Sequence, residues 1–348
     1  MNRIQIFFLL ALLGLSACQA VASPVVSTST PSAVPMPSHT APAQSSSGST
    51  YSYPSGYANQ PAATLAPAAV NSTPLTNQGS FESQFAFADR FVAHLVEVPL
   101  LPAGQSYQAW LIGEDGSTFS LGTFAPTAEG ILAVEWTSRT GENLLARYAR
   151  FQITVETAEG SARPTGKVVF AGGFNADRLA LARRLWVVNS GDPATPLNTA
   201  LMTGLLMQYQ VAVQHIQNAE NAAAIGALPE VALHMEHVIN ILEGSAGKRF
   251  KDYTGDGAAQ NPGDGFGVKE YARQAAAQIS GADVEQFEAA VSDLQDQCEQ
   301  ILALKDAKEA KTQLTNLLAD AENLQAGALA EFYAQALATA RFEIAPAP

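Results

Sequence analysis

Two hydrophobic periods divide the chain. From residue 83 to 170 apolar and polar positions alternate in short runs, the two-residue period of strands. Tyr107, Ala109 and Leu111 alternate with their neighbours, and so do Phe119, Leu121 and Thr123. This spacing predicts strands with one face buried at 83–87, 91–98, 106–113, 118–124, 131–136, 151–156 and 167–170. Asp115-Gly116 between two such runs is a hairpin signal, because glycine tolerates the positive φ of the turn. Pro102-Ala103-Gly104, Glu129-Gly130, Thr140-Gly141 and Glu159-Gly160-Ser161 punctuate the other runs. Short antiparallel strands spaced in this way predict a β-sandwich over about 79–173.

From residue 176 onward the period becomes helical. Leu201, Leu205, Tyr209, Ala212 and Ile216 form one stripe, and Val231, Met235, Val238 and Leu242 form another. Gly226 stops the first of these helices, and Pro229 suits the first turn of the next. The pattern predicts helices at 176–186, 197–224, 229–243, 268–279, 283–305 and 308–341, with a Gly/Asp-rich loop at 244–267. Short connections make 174–343 an antiparallel helical bundle, leaving Pro346 and Pro348 in a frayed tail. The expected class is α+β, an antiparallel sandwich followed by a bundle.

The first 78 residues fit neither period. Arg3, a short apolar run and Leu15-Ser16-Ala17-Cys18 resemble a bacterial lipoprotein signal over 1–18, with Cys18 the lipidated residue. Diacylation buries enough methylenes for stable anchoring. The expected location is extracytoplasmic, lipid-anchored to the bacterial cell membrane. Residues 19–78 are rich in Ser, Thr, Pro and Ala, a composition that buries too little to order itself and acts as a spacer.

Tyr107-Gln108-Ala109-Trp110-Leu111-Ile112, then Asp115-Gly116, then Leu121-Gly122-Thr123-Phe124 resemble the C-terminal domain of anti-sigma-K factors. Glu156, Gly160-Ser161 and Pro164-Thr165-Gly166 continue the resemblance. It implies an extracytoplasmic sensing or scaffolding domain. In that family the domain follows a transmembrane helix and a cytoplasmic part that grips the sigma factor. A lipoprotein leaves nothing in the cytoplasm, so no direct sigma-factor contact is expected. The segment Glu236-His237-Val238-Ile239-Asn240, Glu243-Gly244 and 261–267 also resembles a module of envelope proteins in filamentous green non-sulfur bacteria, to which no activity attaches.

Charge narrows the partners. The formal net charge is −13, which argues against nucleic acid, whose readers carry basic patches. Of the two cysteines, lipidation of Cys18 leaves Cys298 alone in a helical stretch, as a small buried residue or a half-exposed thiol. No phosphate-cradling loop, nucleophile elbow or Ser/His/Asp order occurs, so no enzyme is read here.

Two candidate sites remain. His234 and His237 lie three residues apart on one helix surface, and the turn near Gly226 brings His215 opposite them. Neutral imidazole suits zinc, copper or iron, with affinity falling as pH drops through about 6.5. Glu236 or Glu243 are the candidates for a fourth ligand. Histidines hydrogen-bonded at the edge of a packed face are the plainer explanation. The second candidate is 252–264, where Asp252, Thr254 and Asp256 precede Gly257 as in a calcium loop. Its expected final glutamate is replaced by Gly263, leaving Asn261 and Asp264 as late ligands. A Gly/Asp connector explains the same residues. The favoured function is a non-enzymatic envelope sensor or binding module, partnered by an envelope protein or small ligand. The alternatives are a metal- or haem-binding envelope protein using the histidines, and a structural envelope protein.

Overall fold

The computed structural model describes residues 77–83, 87–157, 160–188, 195–282 and 284–348. The expected lipoprotein signal with Cys18, and the expected spacer up to residue 76, lie outside the described residues. The α+β class holds. The order is β1 (Gln78–Glu82), β2 (Arg90–Leu95), β3 (Gln105–Gly113), β4 (Thr118–Phe124), β5 (Leu132–Thr137), α1 (Leu144–Arg147), β6 (Tyr148–Thr157) and β7 (Lys167–Gly173). Then come α2 (Ala176–Trp186), α3 (Leu201–Ala224), α4 (Leu228–Glu243), α5 (Val268–Ala276), α6 (Glu285–Leu302), α7 (Ala307–Leu324), α8 (Ala330–Ala338) and β8 (Arg341–Pro346).

Hydrogen bonding joins all eight strands into one antiparallel order, β4-β3-β6-β7-β8-β1-β2-β5. The two edge strands face each other, Phe119 of β4 meeting Trp136 of β5 edge-on with centroids 4.9 Å apart. The sheet is therefore nearly closed, which limits the exposed edge that would otherwise recruit another strand.

Three sequence expectations are corrected. The tail is a strand, not frayed. Phe342 pairs Gly79 of β1, and Ile344 pairs Gly172 of β7. Helices α2 to α8 are thus inserted between β7 and β8, and the bundle ends before 343. Phe342 and Ile344 are buried while Glu343 between them is exposed, a period of two that the preceding helical run obscures. The strand expected at 83–87 instead ends at Glu82, with 84–86 outside the described residues. Finally, 308–341 is not one helix. A π-helical turn, Gln325–Leu329, separates α7 from α8.

β3 also departs from the one-face pattern, since both faces are buried from Tyr107 to Gly113. Tyr107 sits in the main core and donates its hydroxyl to the Pro99 carbonyl at 2.8 Å. On the other face, Trp110 Nε1 donates to Thr154 Oγ1 at 2.9 Å. The turn after β6 folds over that face, tied down by Glu156. Its carboxylate accepts from the hydroxyls of Thr154, Ser161 and Thr165 and from the backbone of Thr165 and Gly166. Burial raises the Glu156 pKa, but these donors outweigh it and hold the group down at about 2. The Glu, Gly-Ser and Thr-Gly positions of the sequence pattern thus form one anion cradle.

A single hydrophobic core runs through strands and helices. Trp186 of α2 links the two parts, packing on Tyr333 of α8 and accepting at its carbonyl from Asn143 Nδ2. Cys298 is free and wholly buried, which decides between the two readings open for it. No helix among the described residues is long and apolar enough to cross a membrane.

Candidate metal centre

The α3–α4 hairpin sets the site. Apolar stripes on both helices force them together, and Gly226 turns the chain with φ +79°. A β-carbon is disfavoured at that backbone angle. The tight turn makes the two helices antiparallel and brings His215 level with the His234–His237 pair. His215 Nδ1 lies 3.0 Å from His234 Nδ1 and 3.4 Å from His237 Nδ1. Ligating atoms of all three lie within 4.8 Å of one another. Among the described residues this is the one cluster of histidine, cysteine and acidic side chains with such closeness.

The chemistry of that cluster is unbalanced as it stands. Each imidazole nitrogen carries either a proton or a single lone pair. Two Nδ1 atoms in contact need one of each, and a third Nδ1 on the same atom leaves at least one contact poorly matched. A cation would accept all three lone pairs at once. Metal–nitrogen bonds of about 2.0–2.1 Å at a tetrahedral angle place nitrogens about 3.3 Å apart. The two Nδ1 separations bracket that value.

Burial favours the neutral form of all three imidazoles. Burial, reinforced by His237 and His234, pushes His215 down to about 3. Burial, with His237 nearby, lowers His234, and burial lowers His237 against the hydrogen bond to Gln260. Neutral rings are the ligating form.

The sequence-level fourth ligands are not free for a metal. Glu236 is fully buried and accepts from the backbone N–H groups of Tyr253, Thr254 and Gln260. Glu243 accepts from Arg249 N, Lys269 Nζ and Gln295 Nε2. Between them, Asn240 donates to the carbonyls of Lys251 and Gln260 and accepts from Lys251 N. Positions 236, 240 and 243 share one helix surface, so the polar residues of α4 staple the following loop. Sequence reasoning missed this role, although a Glu-x-x-x-Asn-x-x-Glu spacing inside an apolar helix is its visible signal.

The loop residues each have partners of their own. Asp252 accepts from Gly255 N, Gly257 N and the Thr254 hydroxyl, and those backbone donors lower its pKa. Asp256 accepts from Ala258 N and Gln260 Nε2. Asn261 turns inward, donating to the Asn240 carbonyl. Asp264 accepts from Phe266 N and the Tyr271 hydroxyl, and burial raises its pKa. Asn261 and Asp264 are thus committed to the helices.

What fold and site define together is an α+β protein with a helical insertion carrying a three-histidine cluster. Residues 11–168 match the family model described as "Anti-sigma-K factor rskA, C-terminal". From β1 to the start of β7 this chain is thus similar to an anti-sigma-K factor C-terminal domain, as its Tyr107 to Gly166 pattern implied. The match stops at the start of β7 and leaves α2 to β8 unassigned. No curated protein and no solved structure matches the chain.

Proposed function

We propose that this chain is a non-enzymatic, lipid-anchored extracytoplasmic binding protein whose helical insertion takes up one first-row transition-metal ion on His215, His234 and His237. The regulatory β domain serves as its scaffold, and metal occupancy is the signal it senses. The observation that carries the reading is the convergence of three histidines, with His215 Nδ1 at tetrahedral-edge spacing from the Nδ1 atoms of both His234 and His237. Imidazole donors suit zinc, copper or iron. The ring centroids lie 4.7 to 5.9 Å apart, which leaves no slot for a porphyrin and favours a bare ion over haem. The anchor rests on Leu15-Ser16-Ala17-Cys18, and the regulatory role on the family match.

The test is elemental analysis and zinc titration of the full chain beside His234→Ala and His237→Ala. One equivalent should bind the wild type, and neither variant should hold it at micromolar metal while each keeps its helical circular dichroism. A wild type unable to take up zinc, copper or iron ends the reading.

A further inference from the structure

The hydrogen bonds around His237 fix more than its position. Gln260 Nε2 lies 2.7 Å from Asp256 Oδ2. A carboxylate only accepts, so the amide must point its NH2 group at Asp256 and its Oε1 elsewhere. Oε1 faces His237 Nε2 at 3.2 Å. An amide oxygen also only accepts, so Nε2 of His237 must carry the proton. The remaining nitrogen, Nδ1, then presents its lone pair, and it is the nitrogen that faces His215. Gln260 itself is fastened at both backbone groups, its N–H to Glu236 Oε1 at 2.9 Å and its carbonyl to Asn240 Nδ2 at 2.9 Å.

We infer that Gln260 is the positioning residue of the histidine centre: it locks His237 in its Nδ1-ligating tautomer and makes metal occupancy and the order of the 252–260 loop one coupled equilibrium. This deepens the metal reading above and rests on it. A ligated imidazole polarises its distal N–H, so metal binding strengthens the His237–Gln260 bond. By reciprocity, whatever holds Gln260 in place tightens the metal by the same factor. Through Gln260 that includes Asp256, Glu236 and Asn240. The Asp/Gly loop then acts as the outer shell of the histidine site.

Three measurements on the full chain test this, using Gln260→Ala and zinc as the probe. First, nitrogen-15 NMR of the metal-free wild type should show His237 protonated at Nε2, and the variant should show a tautomer mixture. Second, zinc affinity should drop about 10–100-fold in the variant. Third, zinc should slow amide exchange at 253–260 in the wild type and much less in the variant. Gln260→Glu, which keeps an acceptor toward Nε2, should recover part of the zinc affinity. Either of the first two readouts standing unchanged in Gln260→Ala, or exchange in the wild-type loop indifferent to zinc, overturns the inference. A wild type that binds no metal instead ends the metal reading itself, and the tautomer measurement still judges Gln260.

Discussion

The ring of Phe342 meets that of Phe174 edge-on, centroids 5.0 Å apart and planes at 76°, although the whole helical insertion lies between them in the chain. Phe342 also packs on Phe81 and Phe91 with centroids 6.2 and 6.1 Å away. The C-terminal strand is therefore a wedge in the β core, pairing β1 to β7 by backbone and filling the space beneath by side chain. Phe342→Ala should cost about 3–5 kcal/mol, the range for an aromatic removed from a packed core. Urea denaturation of the variant checks it, and a midpoint equal to the wild type would contradict the wedge.

Glu156 should give the β domain an acid-sensitive stability. Its folded pKa is depressed to about 2, below the ordinary glutamate value. The unfolded chain therefore binds the proton first as pH falls, and the contribution, full above about pH 4.5, disappears as pH drops through about 2. Glu156→Gln should cost about 2–3 kcal/mol at pH 7, the scale of hydrogen bonds to a charged group. The penalty should shrink toward pH 2, read as the difference in urea midpoints across that range.

The histidines should act in a neighbouring window. His215 is depressed to about 3, so between about 3 and 6.5 the unfolded chain holds the proton that the folded chain refuses. Stability of the metal-free protein is complete above about pH 6.5 and declines as pH falls below it. His215→Gln should flatten the fall in melting temperature between pH 7.5 and 5. The same resistance to protonation extends zinc binding below the ordinary histidine pKa near 6.5, lower than the sequence alone suggests. Zinc titrations at pH 7 and 6 should show a smaller loss of affinity than three ordinary imidazoles would give.

Cys18→Ser should release the protein from membranes or stall its precursor, because without the acyl chains nothing in the spacer buries enough apolar area to stay bound. Fractionation of cells carrying the variant reads the outcome, and processed protein still retained on membranes would count against lipidation.

Much of this molecule follows from local pattern. The β3–β4 hairpin is set by alternating apolar positions around Asp115-Gly116, since a glycine at φ +81° satisfies the turn without any distant contact. The α3–α4 pair is equally local, and its turn near Gly226 brings His215 opposite His237. What lies within one hairpin of chain is legible because helix period and turn chemistry fix it before the rest of the fold exists.

Long-range geometry was decided only in three dimensions. β8 has six residues whose alternation is too short to outweigh the helix before it, and only the open edges of β1 and β7 make it a strand. Burial of the second face of β3 goes with the turn after β6, which the Glu156 cradle holds and whose Ser161 exchanges two hydrogen bonds with Gln108. Likewise Glu236 and Asn240 look like spare polar groups on an apolar helix. Their meaning comes from backbone donors and acceptors of a loop that has no period of its own. Such groups must be satisfied once buried, and tertiary contact alone determines by whom.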